Sequence, residues 1–330
     1  MVGCSPRGEN PAERMHSRDV AAAAALLAPL LPPTPLLHAV ALDLLAGRPV
    51  FFKHEGWQRG GAFKGRGATH ALLRLAAEAR ARGVITASSG NHGTALAVAA
   101  KAIGARAVVV MPEDATAAKR ANVLAAGGEI VLAGLDSATR MTCAVTMAEA
   151  EGLLLIPPYD HELIIAGQGT CALEALAQHP ELALLVAPCG GGGLLAGCAL
   201  ALAEREGTAV WGAEAARAAD TFESFRQGQR VAITLPDTIA DGMRNLTPGA
   251  LTFPLIQAHC AGIALVSEEE IREAMRLLQQ HFGVLVEPTG AVAPAALLFR
   301  KIPLDGRAAV AVISGANITP EDFAAAVAQP

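Results

Sequence analysis

From residue 84 onward, short aliphatic runs alternate with alanine-rich stretches of helical length. The run 84–87 is of the first kind, and 91–103, stopped by Gly104, is of the second. Strands that are apolar throughout, rather than at every second position, are typical of a parallel sheet covered by helices on both faces. Glycine just past a helical stretch is typical of a C-cap. The alternation therefore predicts an α/β protein with two open, mostly parallel twisted sheets flanked by helices.

The predicted elements follow from this alternation and from turn residues. The predicted strands are 84–87, 106–111, 129–133, 153–156, 182–187, 209–213, 284–286 and 308–313. The predicted helices are 21–31, 91–103, 115–126, 137–151, 169–178, 195–206, 268–282 and 291–299.

Composition excludes several classes of protein. The 26 basic and 31 acidic residues give a net charge of -5, which argues against a nucleic-acid-binding protein. A hydrophobic content of 52% excludes bulk disorder, and no apolar run reaches the length of a membrane span. The six cysteines include no CxxC pair, so we expect reduced thiols in a cytoplasmic protein.

Lysine is scarce, since the chain has only five. An amine can form an imine when its pKa is lowered, whereas arginine cannot. Lys101 and Lys119 fall in alanine-rich helical stretches and are predicted to be solvated. Lys64 differs because small residues flank it in Gly60-Gly61-Ala62-Phe63-Lys64-Gly65-Arg66-Gly67, and they would let a planar group approach the backbone.

Three further segments carry polar or glycine-rich chemistry at predicted strand ends. Ser88-Ser89-Gly90-Asn91-His92-Gly93 follows a strand and opens a helix, where backbone N–H groups favour an anion such as a carboxylate. Simple N-capping explains one serine, but two hydroxyls, an amide and an imidazole favour a functional loop. Gly190-Gly191-Gly192-Gly193 lies between a strand and a helix and predicts a phosphate cradle. Ser314-Gly315-Ala316-Asn317 follows the last predicted strand and is weak alone.

These motifs, in this order, resemble the fold-type II pyridoxal-phosphate enzymes, which share the fold of the tryptophan synthase β chain. Within them the chain is most similar to the serine/threonine dehydratases and serine racemase. Matching segments extend from Thr34-Pro35-Leu36 to Ser314-Gly315-Ala316-Asn317, and they also include Ile165-Ala166-Gly167-Gln168-Gly169-Thr170 and Thr238-Ile239-Ala240-Asp241-Gly242.

The resemblance implies roles for individual residues. Lys64 would form the Schiff base with pyridoxal 5′-phosphate, Phe63 and Gly242 would flank its ring, and Asn91 would reach the ring hydroxyl. The phosphate would be held by Gly190, Gly191, Gly192, Gly193 and Leu194, and the pyridine nitrogen would meet Ser314. The implied substrate-binding residues are Ser88, Ser89, Asn91, His92 and Arg140, with Ser89 as a second catalytic residue opposite Lys64. A divalent cation (Mg²⁺, Ca²⁺ or Mn²⁺) is implied at Glu214, the Ala218 carbonyl and Asp220.

Two departures from the family pattern affect these expectations. Gly60 and Ala62 stand where the family often has hydroxyl residues, which weakens the case for a nucleotide contact at this loop. Ala316 replaces a usual glycine and must accept the backbone conformation found there.

The implied domains are a large cofactor-binding domain of residues 1–82 and 158–330 and a small mobile substrate-loop domain of residues 83–157. The implied activity is elimination of water from L-threonine or L-serine, giving a 2-keto acid and ammonia. Racemisation of serine and dehydration of hydroxyaspartate stay open as alternatives, and so does a non-catalytic ligand-binding protein that has kept the fold. The expected partners are a small amino acid substrate and a second copy of the chain in a homodimer, with no nucleic acid and no membrane.

Overall fold

The computed structural model describes residues 14–303 and 305–328, so Cys4 and the other first residues lie outside it. The strands are β1 Leu36–His38, β2 Val50–His54, β3 Val84–Ala87, β4 Ala107–Met111, β5 Glu129–Leu132, β6 Leu154–Leu155, β7 Leu184–Pro188, β8 Ala209–Ala215, β9 Gly262–Val266 and β10 Ala309–Ile313. The helices are α1 Ser17–Leu27, α2 Val40–Ala46, α3 Lys64–Arg74, α4 Ala76–Arg82, α5 Asn91–Ile103, α6 Ala117–Ala125, α7 Ser137–Glu151, α8 Glu162–Gln178, α9 Gly193–Leu202, α10 Asp220–Gln227, α11 Thr252–His259, α12 Glu268–Phe282, α13 Pro288–Leu298 and α14 Pro320–Ala328.

The strands form two sheets. The larger has the order β1-β2-β10-β7-β8-β9, and only its β1–β2 pair is antiparallel. The smaller has the order β5-β4-β3-β6 and is parallel throughout. The prediction of two mostly parallel sheets is therefore confirmed. All four strands of the smaller sheet fall within residues 83–157, but the division into a large and a small mobile domain stays a prediction.

Small aliphatic side chains fill the core, as the low aromatic content of 4% requires. Helices α2, α12, α13 and α14 cover one face of the larger sheet, and α1, α8, α9 and α11 cover the other. The smaller sheet packs against α5 on one side and α7 on the other. None of the helices in the described ranges is long and apolar enough to cross a bilayer.

The predicted strand at 284–286 is wrong. These residues are buried or half-buried but pair with no strand, and they lead into α13, whose first residue is Pro288. Their side chains pack into the core of the larger sheet through Val284 and Val286. Burial alone therefore explains the apolar run, and periodicity cannot separate it from a short buried strand.

A buried network of charges supports the start of α3. Arg66 donates from Nε to Glu55 Oε2 at 2.7 Å and from Nη1 to Glu174 Oε2 at 3.0 Å. Lys53, which has no exposed surface, donates to Glu174 Oε1 at 2.5 Å and to the Thr34 carbonyl at 2.7 Å. Each buried charge thus has an opposite charge beside it, which is the condition for burying it at all.

Replacing Arg66 should destabilise the protein strongly. Arg66→Met leaves the fully buried Glu55 carboxylate without its cation, and loss of one partner of a buried pair costs about 3–5 kcal/mol. Urea unfolding followed by circular dichroism measures this loss. Arg226→Met, which removes an exposed arginine paired with Glu223, is the matched control and should leave the midpoint nearly unchanged. Equal midpoints for the two variants would contradict the role given to the network.

Candidate active site

The ends of three neighbouring strands bring the predicted motifs together. Strands β2, β10 and β7 are adjacent and parallel, so their carboxyl ends lie at one edge of the larger sheet. The segment after β2 leads to Lys64, the segment after β10 contains Ser314, and the segment after β7 is the glycine run. This edge is where open α/β sheets bind ligands.

Lys64 is the first residue of α3 rather than part of a loop. Its Nζ donates to the Pro158 carbonyl at 2.7 Å and lies 4.9 Å from the centre of the Phe63 ring. Burial lowers the pKa of Lys64 to about 8, because a carbonyl oxygen and a ring face do not replace the lost water. A considerable fraction of this amine is therefore neutral near neutral pH and able to act as a nucleophile.

The segment before Lys64 is bound to the Ser314 motif by backbone hydrogen bonds. Phe63 N–H donates to the Ser314 carbonyl at 3.0 Å, and Ala316 N–H donates to the Gly61 carbonyl at 2.9 Å. Ser314 is only 2% exposed. Among the described residues only Arg300 is a non-glycine with positive φ, so Ala316 adopts an ordinary backbone conformation. The alanine that departs from the family pattern is thus accommodated without strain.

The glycine run forms a turn that leads directly into α9. Gly192 has φ +91°, a left-handed conformation that favours glycine, and α9 begins at Gly193. The ring of Tyr159 lies so close to Gly191 that a side chain there would overlap it. Tyr159 follows Pro158, the residue that accepts the Lys64 hydrogen bond, so the amine and the glycine run share one neighbouring segment.

Gly242 lies against the same turn. A Cβ added at Gly190 would be 2.8 Å from the Gly242 carbonyl oxygen, and the Gly242 N–H donates to Thr289 Oγ1 at 3.1 Å. Side chains at these positions would fill the space beside the turn, while glycine leaves the N–H groups at the start of α9 accessible. The residues present therefore fit a phosphate group.

The two serines of the loop after β3 have different surroundings. Ser88 is 8% exposed, and its Oγ accepts from the N–H groups of Gly90 at 3.2 Å and Gly93 at 3.0 Å. This is the simple capping role, so the Ser88 hydroxyl stabilises the loop. Ser89 is half-exposed, so its side chain remains accessible to a ligand.

Asn91 and His92 begin α5. Asn91 Nδ2 donates to Glu287 Oε1 at 2.6 Å. His92 Nε2 lies 3.2 Å from the Ile156 carbonyl, which can only accept, so this nitrogen carries the hydrogen. Burial lowers the pKa of His92 to about 3, and the charge of Lys64 acts in the same direction. His92 is therefore a buried neutral imidazole.

Arg140 lies at the start of α7 and is half-buried. Its Nη1 donates to the Leu135 carbonyl at 2.8 Å, and Asp136 and Asp114 are the acidic groups nearby. The structure does not bring Arg140 into contact with the other predicted site residues. Its role as a carboxylate contact stays a prediction.

Glu214 and Asp220 form a buried acidic pair beside the buried Ala218. Glu214 accepts from Thr221 N–H at 3.1 Å and from Phe222 N–H at 2.7 Å, whereas both Asp220 oxygens lack any hydrogen-bond partner. Burial raises the pKa of Asp220 to about 7, and burial together with the Asp220 charge raises the pKa of Glu214 well above its usual value. Orphaned carboxylate oxygens at this depth fit a bound cation.

A search for three clustered His, Cys, Asp or Glu side chains finds no such group within the described part of the chain. The predicted cation site differs from such a cluster because it combines two carboxylates with a backbone carbonyl.

Three residues of the site escape the sequence-based predictions. Tyr159 packs on the glycine run, and Glu287 bonds to Asn91. Lys119, predicted to be solvated, forms an ion pair with Asp241 next to Gly242, and its side chain passes 3.4 Å from where a Cβ of Gly90 would lie. The prediction for Lys119 is therefore wrong, because the loop carrying Asp241 is distant in sequence and covers its face of the helix.

Comparison with known proteins identifies the family. A family model described as pyridoxal-phosphate dependent enzyme matches residues 27–315. The L-threo-3-hydroxyaspartate ammonia-lyase of Saccharomyces cerevisiae is 40% identical over 292 residues, which cover 88% of this chain and 90% of the relative. The serine racemase of Schizosaccharomyces pombe is 38% identical over 307 residues, covering 93% and 95%. A solved threonine deaminase, from the organism abbreviated T.th., superimposes with a TM-score of 0.85 at 40% identity, covering 92% of this chain and 98% of that one.

The chain therefore belongs to the family of pyridoxal-phosphate dependent enzymes, whose members bind pyridoxal 5′-phosphate. A partly neutral amine, a phosphate-accepting turn and a neutral hydroxyl lie at one sheet edge, as this cofactor requires. The resemblance stated from the motifs is confirmed at the level of the family and of its fold.

Proposed function

We propose that the protein is an ammonia-lyase that eliminates water from L-threonine or L-serine and yields a 2-keto acid and ammonia. The observation that carries the proposal is the buried, partly neutral Lys64 amine beside the glycine run and the loop after β3. The relatives named as ammonia-lyases and as a threonine deaminase support elimination.

The proposed roles follow from the chemistry of each group. The N–H groups at the start of α9 bind the phosphate, Lys64 holds the aldehyde, and Ser314 hydrogen-bonds the pyridine nitrogen without protonating it. When bound, the cofactor disperses the negative charge that proton removal leaves on the substrate α-carbon. Lys64 removes this proton, and the loop from Ser88 to His92 binds the substrate carboxylate.

The proposal includes closure of a small domain, residues 83–157, over a large domain of residues 1–82 and 158–330. Two contacts between the predicted domains support it, namely Lys119 with Asp241 and Asn91 with Glu287. It also includes a homodimer, for which the exposed Val40 and Leu44 on α2 are candidate contacts, and a cytoplasmic location.

Lys64→Ala should lose both the visible absorption of the bound cofactor and all keto acid formation. Lys101→Ala, which removes an exposed lysine from α5, is the matched control and should retain both. In the wild type, capture of the aldehyde by the apoenzyme should accelerate as pH rises to about 8 and then level off, because only the neutral amine reacts. Stopped-flow absorbance measures the rate, and an active Lys64→Ala variant would refute the proposal.

Assays of keto acid from L-threonine, L-serine and threo-3-hydroxyaspartate rank the substrates. Hydroxyaspartate is a candidate because a 40%-identical relative is named for it. A protein that binds the cofactor yet converts none of these amino acids would instead support the non-catalytic alternative.

Serine racemisation is the second candidate activity, and the half-exposed Ser89 supports it. Racemisation requires an acid on the face of the α-carbon opposite Lys64, whereas elimination of an L-substrate does not. Ser89→Ala should therefore lower D-serine formation at least tenfold more than pyruvate formation from L-serine, a difference of about 1.4 kcal/mol in barrier. Chiral chromatography measures both products in one sample, and an equal loss of both would remove the role of Ser89.

The cation is proposed at Glu214, Ala218 and Asp220, on the strength of the two unpartnered Asp220 oxygens. Addition of Mg²⁺ or Ca²⁺ to metal-free protein should raise the Tm of the wild type, because a ligand that binds only the folded state stabilises it. Asp220→Asn should abolish this rise, and Asp237→Asn, on an exposed aspartate, should retain it. Equal shifts in all three proteins would place the cation elsewhere.

A further inference from the structure

A chain of side-chain hydrogen bonds connects the loop before Lys64 to Glu287. Asn317 Nδ2 donates to the Gly60 carbonyl and to Asn91 Oδ1, each at 2.8 Å. Asn91 Nδ2 in turn donates to Glu287 Oε1 at 2.6 Å. The chain thus joins four segments that are distant in sequence, and the mechanism above uses only Asn91.

The direction of every bond in this chain is determined. A backbone carbonyl can only accept, so Asn317 must turn its amide nitrogen towards Gly60. The second hydrogen of that nitrogen then points to Asn91 Oδ1, which leaves Asn91 Nδ2 facing Glu287. Asn91 Nδ2 has two hydrogens, and Glu287 takes one of them. The other remains for the ring oxygen of the cofactor, the contact proposed for Asn91.

Glu287 is buried in direct contact with the Ser314 motif. It is 6% exposed, and any side chain at Gly315 would overlap its Oε1. The ionisable groups around it are Asp241 and, on α6, Lys119. Burial raises the pKa of Glu287 to about 8, Asp241 acts in the same direction, and the Asn91 bond and Lys119 act against them.

We propose that Glu287 is a positioning residue that orients the Asn91 amide and, through its charge, sets the protonation of the cofactor's ring oxygen. The inference rests on the proposed function, since it needs Asn91 at the ring oxygen. A carboxylate one amide away from that oxygen favours its hydroxyl form, whereas a neutral Glu287 favours its anion. The acid thereby selects the electronic state of the cofactor without touching the substrate.

The test is the absorption spectrum of the holoenzyme as a function of pH. The anionic ring oxygen gives the visible band and the hydroxyl gives the near-ultraviolet band. In the wild type, the ratio of the visible to the near-ultraviolet band should fall as pH rises through about 8, where Glu287 ionises. The ionised fraction changes about tenfold across two pH units, so the transition is well within detection.

Glu287→Gln keeps an acceptor for Asn91 but removes the charge, so its band ratio should stay constant over the same pH range. Glu149→Gln, which removes an exposed acid from α7, is the matched control and should titrate as the wild type does. A Glu287→Gln spectrum that titrates like the wild type would overturn the inference.

The wild type alone also tests the inference if Glu287→Gln does not fold. A wild-type holoenzyme whose band ratio is constant around pH 8 overturns the role of Glu287 while leaving the proposed function intact. A wild type with no visible band at all defeats the proposed function itself. Glu287→Asp, which keeps the charge, should retain the transition, and its loss there would count against the inference as well.

Discussion

Parallel pairing of β2, β10 and β7 is the constraint on which the site depends. Since parallel strands end at the same edge, the three segments that follow them meet even though they are far apart in sequence. Backbone hydrogen bonds between Phe63 and Ser314 and between Gly61 and Ala316 then hold two of these segments in register. The third segment begins α9, so the end of the sheet also supplies the anion-binding end of a helix.

Two lysines near this edge show how burial is used for opposite purposes. Lys53 is completely buried, but it has the Glu174 carboxylate and the Thr34 carbonyl as partners. Lys64 faces a carbonyl oxygen and an aromatic ring, so its charge is poorly compensated and its pKa falls to about 8. The first arrangement stabilises the fold, and the second makes an amine reactive at the expense of some stability.

Local sequence patterns predict much of the fold and only part of the site. The boundaries of β3, α7 and α12 agree with the prediction because glycine stops and caps mark them. The run at 284–286 resembles a strand in sequence, since three buried apolar residues look alike with or without a hydrogen-bonded neighbour. Glu287 escapes prediction because its partner Asn91 is 196 positions away, and nothing in the local sequence indicates that they meet.

The ion pair between Lys119 and Asp241 has a kinetic consequence. The Lys119 side chain crosses over Gly90 before it reaches Asp241, so it lies across the loop from Ser88 to His92 like a bar. Its two charged ends are about a quarter and a third exposed, so dissolved ions reach them and weaken their attraction. Ionic strength therefore acts on how fast molecules enter and leave the cleft, independently of the bond-breaking chemistry inside it.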